Sequence, residues 1–144
     1  MLTPINMMSS RLPDFKQTHF PYPELERIHG QPTLQQIVKV YKQLKENAVS
    51  VPTTLAGGQH GYLPLVLTEA QWKAVPDVED FSRPGNPGAF LPRPGRATNA
   101  DIAVDKARWE QRVSGYQTCQ HLEATLQNQL SSAFDYEVLD ALRD

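Results

Sequence analysis

The stretch "NADIAVDKARWEQRVSGYQTCQHLEATLQNQLSSAF", residues 99–134, decides the fold class of this chain. It predicts a helix that begins at about Asn99 and runs for roughly thirty residues, which at about 1.5 Å per residue would approach about 45 Å. Gly115 is the point where this helix would bend most easily, at a local cost of up to about 1 kcal/mol relative to alanine. The apolar residues form a single stripe along it: Ile102, Trp109, Val113, Tyr116, Cys119, Leu122, Leu126, Leu130 and Phe134.

A second helix is predicted upstream, from about residue 34 to 48. Pro32 and Thr33 precede it, and Gln36 stands three positions after Thr33, which is the spacing of a capping box. Lys39 and Lys42 lie largely off its apolar side, so we expect them on the exposed side. The residues predicted to face the core are Leu34, Ile37, Tyr41, Leu44 and Ala48.

Between these helices the sequence predicts shorter elements. Thr68 and Gln71 form another capping box and predict a short helix from Glu69 to about Val75. The run "LPLVLT" before it is too short for periodicity to separate a buried strand from a helix, although Pro64 favours a helical start. Downstream of the long helix, Asp135 is a candidate cap for a short terminal helix.

Prolines define the remaining segments. Residues 1–32 carry five prolines and predict an extended arm, and residues 76–98 hold a cluster of prolines and glycines that predicts a long loop. The sequence therefore predicts an all-α fold, a helical bundle of about four or five helices at residues 33–144 preceded by the arm at residues 1–32.

The composition limits the classes of function. Fourteen basic and sixteen acidic residues give a formal charge of −2, which lacks the basic surplus typical of a domain that binds nucleic acid directly. The single cysteine excludes an internal disulfide and any zinc site with several cysteines. Since the sequence has neither a long apolar run nor a signal-peptide pattern, we expect an intracellular, cytoplasmic protein that does not span a membrane.

The motif "AGGQHG" is the first candidate site. Gly57, Gly58 and Gly61 surround His60, which is a typical setting for a ligand-binding histidine in an exposed loop. The motif lacks the GK[ST] of a P-loop, and the alternative that we favour is a turn in which the His60 ring binds nearby backbone.

Two pairs of residues on the long helix are further candidate sites. Cys119 and His121 are two apart on a helix and point away from each other, so we do not expect them to share a metal ion. Asp101 and Asp105 share a helix face and would suit a cation or proton transfer, but we favour their interaction with the helix dipole. We predict no catalytic residue, no metal and no cofactor.

The loop "RPGNPGAFLPRPGR" carries Arg83, Arg93 and Arg96 without an acidic residue. These arginines are candidates for contact with phosphate or with a partner. The alternative is a solvated connection whose Phe90 and Leu91 pack on the core. Acidic residues at positions 77, 79 and 80 would pair with the arginines in a neighbouring copy and make the loop an assembly contact.

Four segments resemble the Gag-like capsid proteins of copia-type LTR retrotransposons. They are "FPYPELERIHGQPT" (20–33), "LKENAVSVPTTLAGGQHGYLPLVLTEAQW" (44–72), "RPGNPGAFLP" (83–92) and "YEVLDALRD" (136–144). The family commonly has glycine where this chain has Ala56 and Pro64. We therefore expect the turn to depend on Gly57, Gly58 and Gly61, because alanine is costly where φ is positive.

The resemblance implies a structural capsid N-terminal domain that self-associates into rings or a virus-like particle. RNA would be packaged indirectly, through a C-terminal region that this sequence lacks. The assembly candidates are then His60, Lys39, Lys42 and the loop arginines. The main alternative is a small helical adaptor that binds a partner through Trp109, Val113 and Tyr116, including a host-adopted Gag-derived protein. A third possibility is an enzyme that combines His60 with Asp101 or Asp105.

Overall fold

The computed structural model describes residues 12–95 and 98–142. The described part is all-α, without strands, as predicted. Its α-helices are α1 (Phe15–Thr18), α2 (Leu34–Ser50), α3 (Glu69–Lys73), α4 (Asn99–Ala133) and α5 (Tyr136–Leu142), with short 3-10 helices at Leu55–Gly57 and Leu63–Leu65.

Both predicted capping boxes are present. At α2, the Thr33 hydroxyl accepts from the Gln36 backbone N–H at 3.2 Å, and the Gln36 side-chain oxygen accepts from the Thr33 N–H at 2.9 Å. Thr68 and Gln71 make the same pair of bonds at α3. Each box satisfies backbone donors that the first turn of a helix cannot pair internally.

The buried side of α2 differs from the prediction. Leu34 is 76% exposed and Ile37 is 41% exposed, whereas Val40 and Asn47 are buried together with the expected Leu44 and Ala48. The predicted core-facing stripe was wrong at Leu34 and Ile37, and it left out Asn47, a polar residue that lies on the buried side. This shift leaves apolar side chains on the outer side of α2.

The segment before Thr33 is not simply an extended arm. It contains α1, and its side chains at Phe15, Phe20, Leu25 and Ile28 are buried. The Ile28 N–H donates to the Ala133 carbonyl at 2.7 Å in an isolated parallel bridge between Ile28 and Phe134. The prediction of an extended conformation was therefore wrong around α1, where aromatic burial outweighs the nearby prolines.

A buried amide network holds this segment on two helices. Asn47 on α2 is fully buried, accepts from the Tyr22 N–H at 3.0 Å and donates to the Tyr22 carbonyl at 2.8 Å. Its amide also donates to Gln129 on α4 at 2.9 Å, and Gln129 donates to the carbonyls of Tyr22 and Pro23. Buried amides need such partners, because an unpaired buried polar group costs about 1–3 kcal/mol.

The chain divides into two compact units. One consists of the described residues within Met1–Ser82 and Leu122–Asp144, and the other of those within Arg83–His121. Helix α4 continues through Gly115 and contributes residues to both units. The first unit holds nearly all of the buried apolar side chains, including Trp72, Leu122, Leu126 and Ala133, whereas Cys119 is the buried one of the second.

The run "LPLVLT" forms the 3-10 helix Leu63–Leu65, with Pro64 near its start, and not a strand. Its leucines and Val66 are half-buried, so the run is not the fully apolar core segment that the sequence suggests. The Tyr41 hydroxyl on α2 donates to the Val66 carbonyl and holds the run against that helix. The long loop follows α3, as predicted; α3 itself ends at Lys73 instead of Val75.

Candidate functional site

The glycine turn packs against the C-terminal end of α2. Gly61 is buried with φ of +52°, and a Cβ atom there would lie only 2.7 Å from the Val51 carbonyl oxygen and would also collide with that of Val49. The next residue, Tyr62, donates its N–H to the Ala48 carbonyl at 3.0 Å, which satisfies an acceptor that the end of α2 leaves open. A residue without a side chain is therefore required at position 61.

The first part of the turn corrects the expectation about Ala56. Gly57 lies in the 3-10 helix Leu55–Gly57, and Gly58 adopts φ of +75°, where an added Cβ atom would lie 2.5 Å from the Thr53 carbonyl oxygen. Ala56 also adopts positive φ, at 50°. Ala56 therefore adopts the left-handed conformation itself, because the sharp turn begins one residue before the glycines.

His60 packs on an aromatic residue. Its ring meets the Trp72 indole edge-on, with centroids 5.9 Å apart and planes at 86°. In the described part of the chain this ring contact takes the place of the backbone hydrogen bond that we expected. His60 thus joins the turn to α3, and its ring is half-buried.

The two lysine candidates on α2 have different surroundings. Lys39 forms an ion pair with Glu26 at 3.2 Å, so part of its role is to hold the N-terminal segment on α2. Lys42 borders a shallow cleft of about 480 Å³, whose other lining residues are Lys45, Glu46, Val49, Ser50 and Leu63. The Lys45 ammonium lies 4.9 Å from the centre of the Tyr41 ring.

An apolar row runs along the outer side of α2 beside this cleft. We call it the outer row: Leu34 (76% exposed), Ile37 (41%), Val38 (59%) and Val49 (40%). At about 100° per residue, Leu34, Val38 and Val49 point within about 60° of one another, whereas Ile37 points about 60° away, towards the buried side. Val49 follows Val38 by about 16 Å along the helix. Single exposed apolar residues are common, but a row of them on one helix indicates a contact surface.

In the unit 83–121, two carboxylates of α4, those of Asp101 and Asp105, are bound within the chain. Arg93 makes two bonds of 2.7 Å to Asp105, and this guanidinium lowers the pKa of Asp105. Asp101 and Thr98 cap the start of α4 reciprocally, and the bonds from the Thr98 N–H and hydroxyl lower the pKa of Asp101. Helix capping therefore occupies Asp101, and Arg93 occupies Asp105.

No protein-family model, curated protein or solved structure matches this chain.

Arg83, Arg96 and Cys119 are the remaining candidate residues. Arg83 is exposed at the start of the loop, and Arg96 lies outside the described residues. Cys119 is buried, and the described residues contain no group of three His, Cys, Asp or Glu side chains placed to hold a metal ion. Within the same residues, no helix is both long enough and apolar enough to cross a bilayer.

A pocket between the loop and α4 was not predicted. Trp109 donates its indole N–H to the Gly88 carbonyl at 2.9 Å, and Phe90 meets the Trp109 ring edge-on at 5.8 Å. Leu91 is 82% exposed, so only Phe90 of the predicted pair packs inward. Beside these rings lie Arg108 and Arg112, and the pocket encloses about 230 Å³. Arg108 and Arg112 are four positions apart on a helix and flank Trp109, and this spacing is the sequence signal that would have identified the pocket.

Proposed function

We propose that this chain is a self-associating structural domain, an N-terminal capsid-type domain of a Gag-like protein, and not an enzyme. The observation that carries the proposal is the outer row of α2, which places four apolar side chains in solvent on one helix. The four segments that resemble copia-type Gag proteins give the contact its context. Segment 20–33 ends at Thr33, which caps the start of the helix that bears this row, and segment 44–72 includes the last seven residues of that helix.

The outer row offers only a small apolar area for burial, so each contact between two copies would be weak. Weak individual contacts suit a domain that assembles through many of them. Full burial of one valine or leucine side chain contributes about 1.5–3 kcal/mol, and Leu34 and Val38 each retain more than half of their exposure in a single copy (76% and 59%). A contact made by a few such residues is modest by itself. Repetition around a ring or shell multiplies it without any new type of contact.

The polar border of the row would give the contact its orientation. Lys42, Lys45 and Glu46 line the cleft together with Val49, so charged groups border this end of the row. Protein interfaces commonly have an apolar centre and a polar rim of this kind. Lys39 contributes less, because Glu26 already binds it.

In this proposal the particle forms in the cytoplasm and encloses RNA that other parts of the polyprotein bind. A formal charge of −2 agrees with a piece that builds the wall and does not hold phosphates. The groups of the enzyme alternative are engaged separately: Trp72 contacts His60, Thr98 binds Asp101, and Arg93 binds Asp105. The turn that contains His60 supports α2, the helix that carries the outer row.

Sedimentation velocity over a wide concentration range, with negative-stain microscopy of any fast fraction, tests the proposal. We expect rings, tubes or shells that grow with concentration. Val38→Asp should reduce the association constant by about tenfold or more, because it places a charge in the apolar contact. Gln127→Asp is the matched control, since Gln127 is exposed on α4 and not on the helix that bears the row, so this variant should associate as the native chain does.

The adaptor alternative predicts a different result. A chain that stays monomeric at millimolar concentration and binds one partner with fixed stoichiometry would contradict self-assembly. In that alternative the predicted contact residues were Trp109, Val113 and Tyr116, but the Trp109 indole is bound to the Gly88 carbonyl of its own chain. Val113 and Tyr116 are half-buried on the same helix.

A further inference from the structure

Charge is distributed unevenly along this chain. Residues 83–121 carry six basic and three acidic residues, whereas the other residues carry eight basic and thirteen acidic ones. The small net charge of −2 therefore conceals a basic unit and an acidic unit in each copy. Opposite charges on different surfaces of identical molecules favour a contact in which one surface of a copy meets the other surface of the next.

The basic surface is formed by Phe90, Arg108, Trp109 and Arg112, which we call the basic cleft. Arg93 borders the same pocket, but Asp105 already binds its guanidinium at two points. Arg108 and Arg112 are exposed. The charge of Arg108 helps to lower the pKa of Asp105, but Arg93 is the group that binds this carboxylate directly. Two such guanidinium groups beside two aromatic rings suit a carboxylate that is followed by an aromatic or apolar side chain.

A matching segment exists in the acidic unit at residues 77–81, "DVEDF", which we call the acidic segment. The Trp72 indole N–H donates to the Glu79 carbonyl at 2.9 Å and holds the segment beside α3. Asp77, with φ of 58°, and Asp80 are exposed together with Glu79, while Phe81 is half-buried. The segment thus presents three carboxylates next to an aromatic ring.

Among the described residues, Lys73 on α3 is a positive group near this segment. Glu69 binds the Lys73 ammonium at 3.1 Å and raises the pKa of Lys73, and the charge of Asp80 raises it further. Glu69 is the closer partner of this lysine. The carboxylates of the acidic segment remain accessible to a second molecule.

We propose that the basic cleft of one copy binds the acidic segment of a second copy. Arg108 and Arg112 would pair with Glu79 and Asp80, and Phe81 would approach the aromatic wall of the cleft. The proposal rests on the self-association proposed above and adds a second, charge-driven contact to the apolar one. Such a contact is heterologous, so it extends from copy to copy and closes into a ring or continues as a filament.

The shape and charge of the cleft favour a protein ligand over nucleic acid. The cleft is small, about 230 Å³, and the Asp105 carboxylate lies among its lining residues. An acidic peptide of two or three side chains suits that volume, and every copy carries one. Phosphate-binding surfaces instead depend on a larger basic surplus than the three net charges of this unit.

Charge reversal at either side tests the contact by sedimentation velocity in about 50 mM salt, where such pairs are least screened. We expect Arg108→Glu and Asp80→Lys each to reduce the association constant by about tenfold. Lys106→Glu and Glu24→Lys are the matched controls. They make the same charge changes at exposed positions outside the two surfaces and should leave association within about twofold of the native value.

A mixing experiment separates this contact from a general charge effect. Chains with R108E/R112E have two acidic surfaces, and chains with E79K/D80K have two basic ones, so neither should assemble alone. An equimolar mixture should recover assembly in alternating order. If the mixture stays dissociated, or if both double variants assemble as the native chain does, this contact is wrong while self-association through the outer row stands.

Two further outcomes overturn the inference. If the native chain and all variants remain monomeric at millimolar concentration and low salt, the proposed function falls with it. A labelled twelve-nucleotide oligouridine, followed by fluorescence anisotropy, probes the rival ligand. Tight binding that R108E/R112E abolishes and E79K/D80K does not change, without recovery in the mixture, would assign the basic cleft to nucleic acid.

Discussion

Ala56 occupies a backbone conformation that alanine adopts at a cost. Its φ of 50° and ψ of 38° lie in the left-handed region, where a Cβ atom crowds the following carbonyl oxygen by about 1–2 kcal/mol. The sequence alone places the strain at the neighbouring glycines, because it does not reveal at which residue the chain turns. The position of the turn depends on how the chain packs against the end of α2, and a local sequence motif does not predict that packing.

Replacing Ala56 by glycine should stabilise the protein by about 0.5–1 kcal/mol, since relief of the left-handed strain exceeds the added entropy of the unfolded chain. Urea unfolding followed by circular dichroism measures the difference. Ala100→Gly on α4 is the control; it should destabilise slightly, as glycine does inside a helix. An unchanged or lowered midpoint for Ala56→Gly would show that position 56 is not strained in solution.

Asp135 is a residue whose charge contributes to stability. Its carboxylate accepts from the Gly30 N–H at 2.7 Å and lies 3.6 Å from His29, and the Gly30 bond is the main cause of its lowered pKa. A pKa that is lower in the folded than in the unfolded state stabilises the fold above the ordinary value of about 3.9. This contribution disappears as the pH falls through the folded-state pKa.

We therefore expect Asp135→Asn to lower the urea midpoint at pH 7, and the gap to the native protein to close towards about pH 2. Asp140→Asn removes an exposed carboxylate of α5 and should shift the midpoint little at neutral pH. Parallel titrations of the three proteins between these pH values provide the comparison. A gap that stays constant with pH would mean that Asp135 acts through shape and not through charge.

At the scale of elements, sequence predicted the parts that local chemistry determines. The Thr33 and Thr68 capping boxes, the all-α class and the loop after α3 depend on residues within a few positions of one another. The buried side of α2 was wrong in part because Asn47 pairs with Gln129, 82 positions away. A prediction based on hydropathy assigns every polar residue to the exposed side, so it misses a polar residue that is buried.

Gln129 on α4 connects three elements of the first unit, because it forms hydrogen bonds with Asn47 on α2 and with the N-terminal segment. Gln129→Ala should destabilise the protein by about 2–4 kcal/mol, because the buried Asn47 amide loses an acceptor and a cavity opens between α4 and the N-terminal segment. Gln129→Met keeps most of the volume and should still cost about 1–3 kcal/mol for the lost hydrogen bonds. Chemical denaturation gives both values.

A second glutamine, two positions earlier on α4, supplies the control. Gln127 is exposed on the same helix, so Gln127→Ala should change stability by less than about 0.5 kcal/mol. The Tyr22 N–H should also exchange faster in Gln129→Ala, since its acceptor, Asn47, loses the bond to Gln129. Equal losses in the two alanine variants would refute a structural role for the buried network.

For the whole molecule, the burial of apolar side chains predicts unequal stability of the two units. The first unit contains buried residues from the N-terminal segment, α2, α3 and the end of α4, whereas Cys119 is the buried apolar residue among those described in 83–121. Ile102 and Val104 on the first turns of α4 are 37% and 53% exposed. Segments with few buried contacts open with a low free energy, even when they belong to a long regular helix.

Hydrogen exchange with mass spectrometry should therefore divide α4 at about Cys119. Amides at 122–133 should exchange only through global unfolding, whereas those at 100–112 should exchange at least about 100-fold faster, since the capping box and Arg93–Asp105 pair stabilise the helix start only locally. The oligomer should slow exchange at 105–112 if the basic cleft binds a neighbour, and R108E/R112E should remove that protection. Uniform slow exchange along α4 in a dilute monomer would contradict the division into units of different stability.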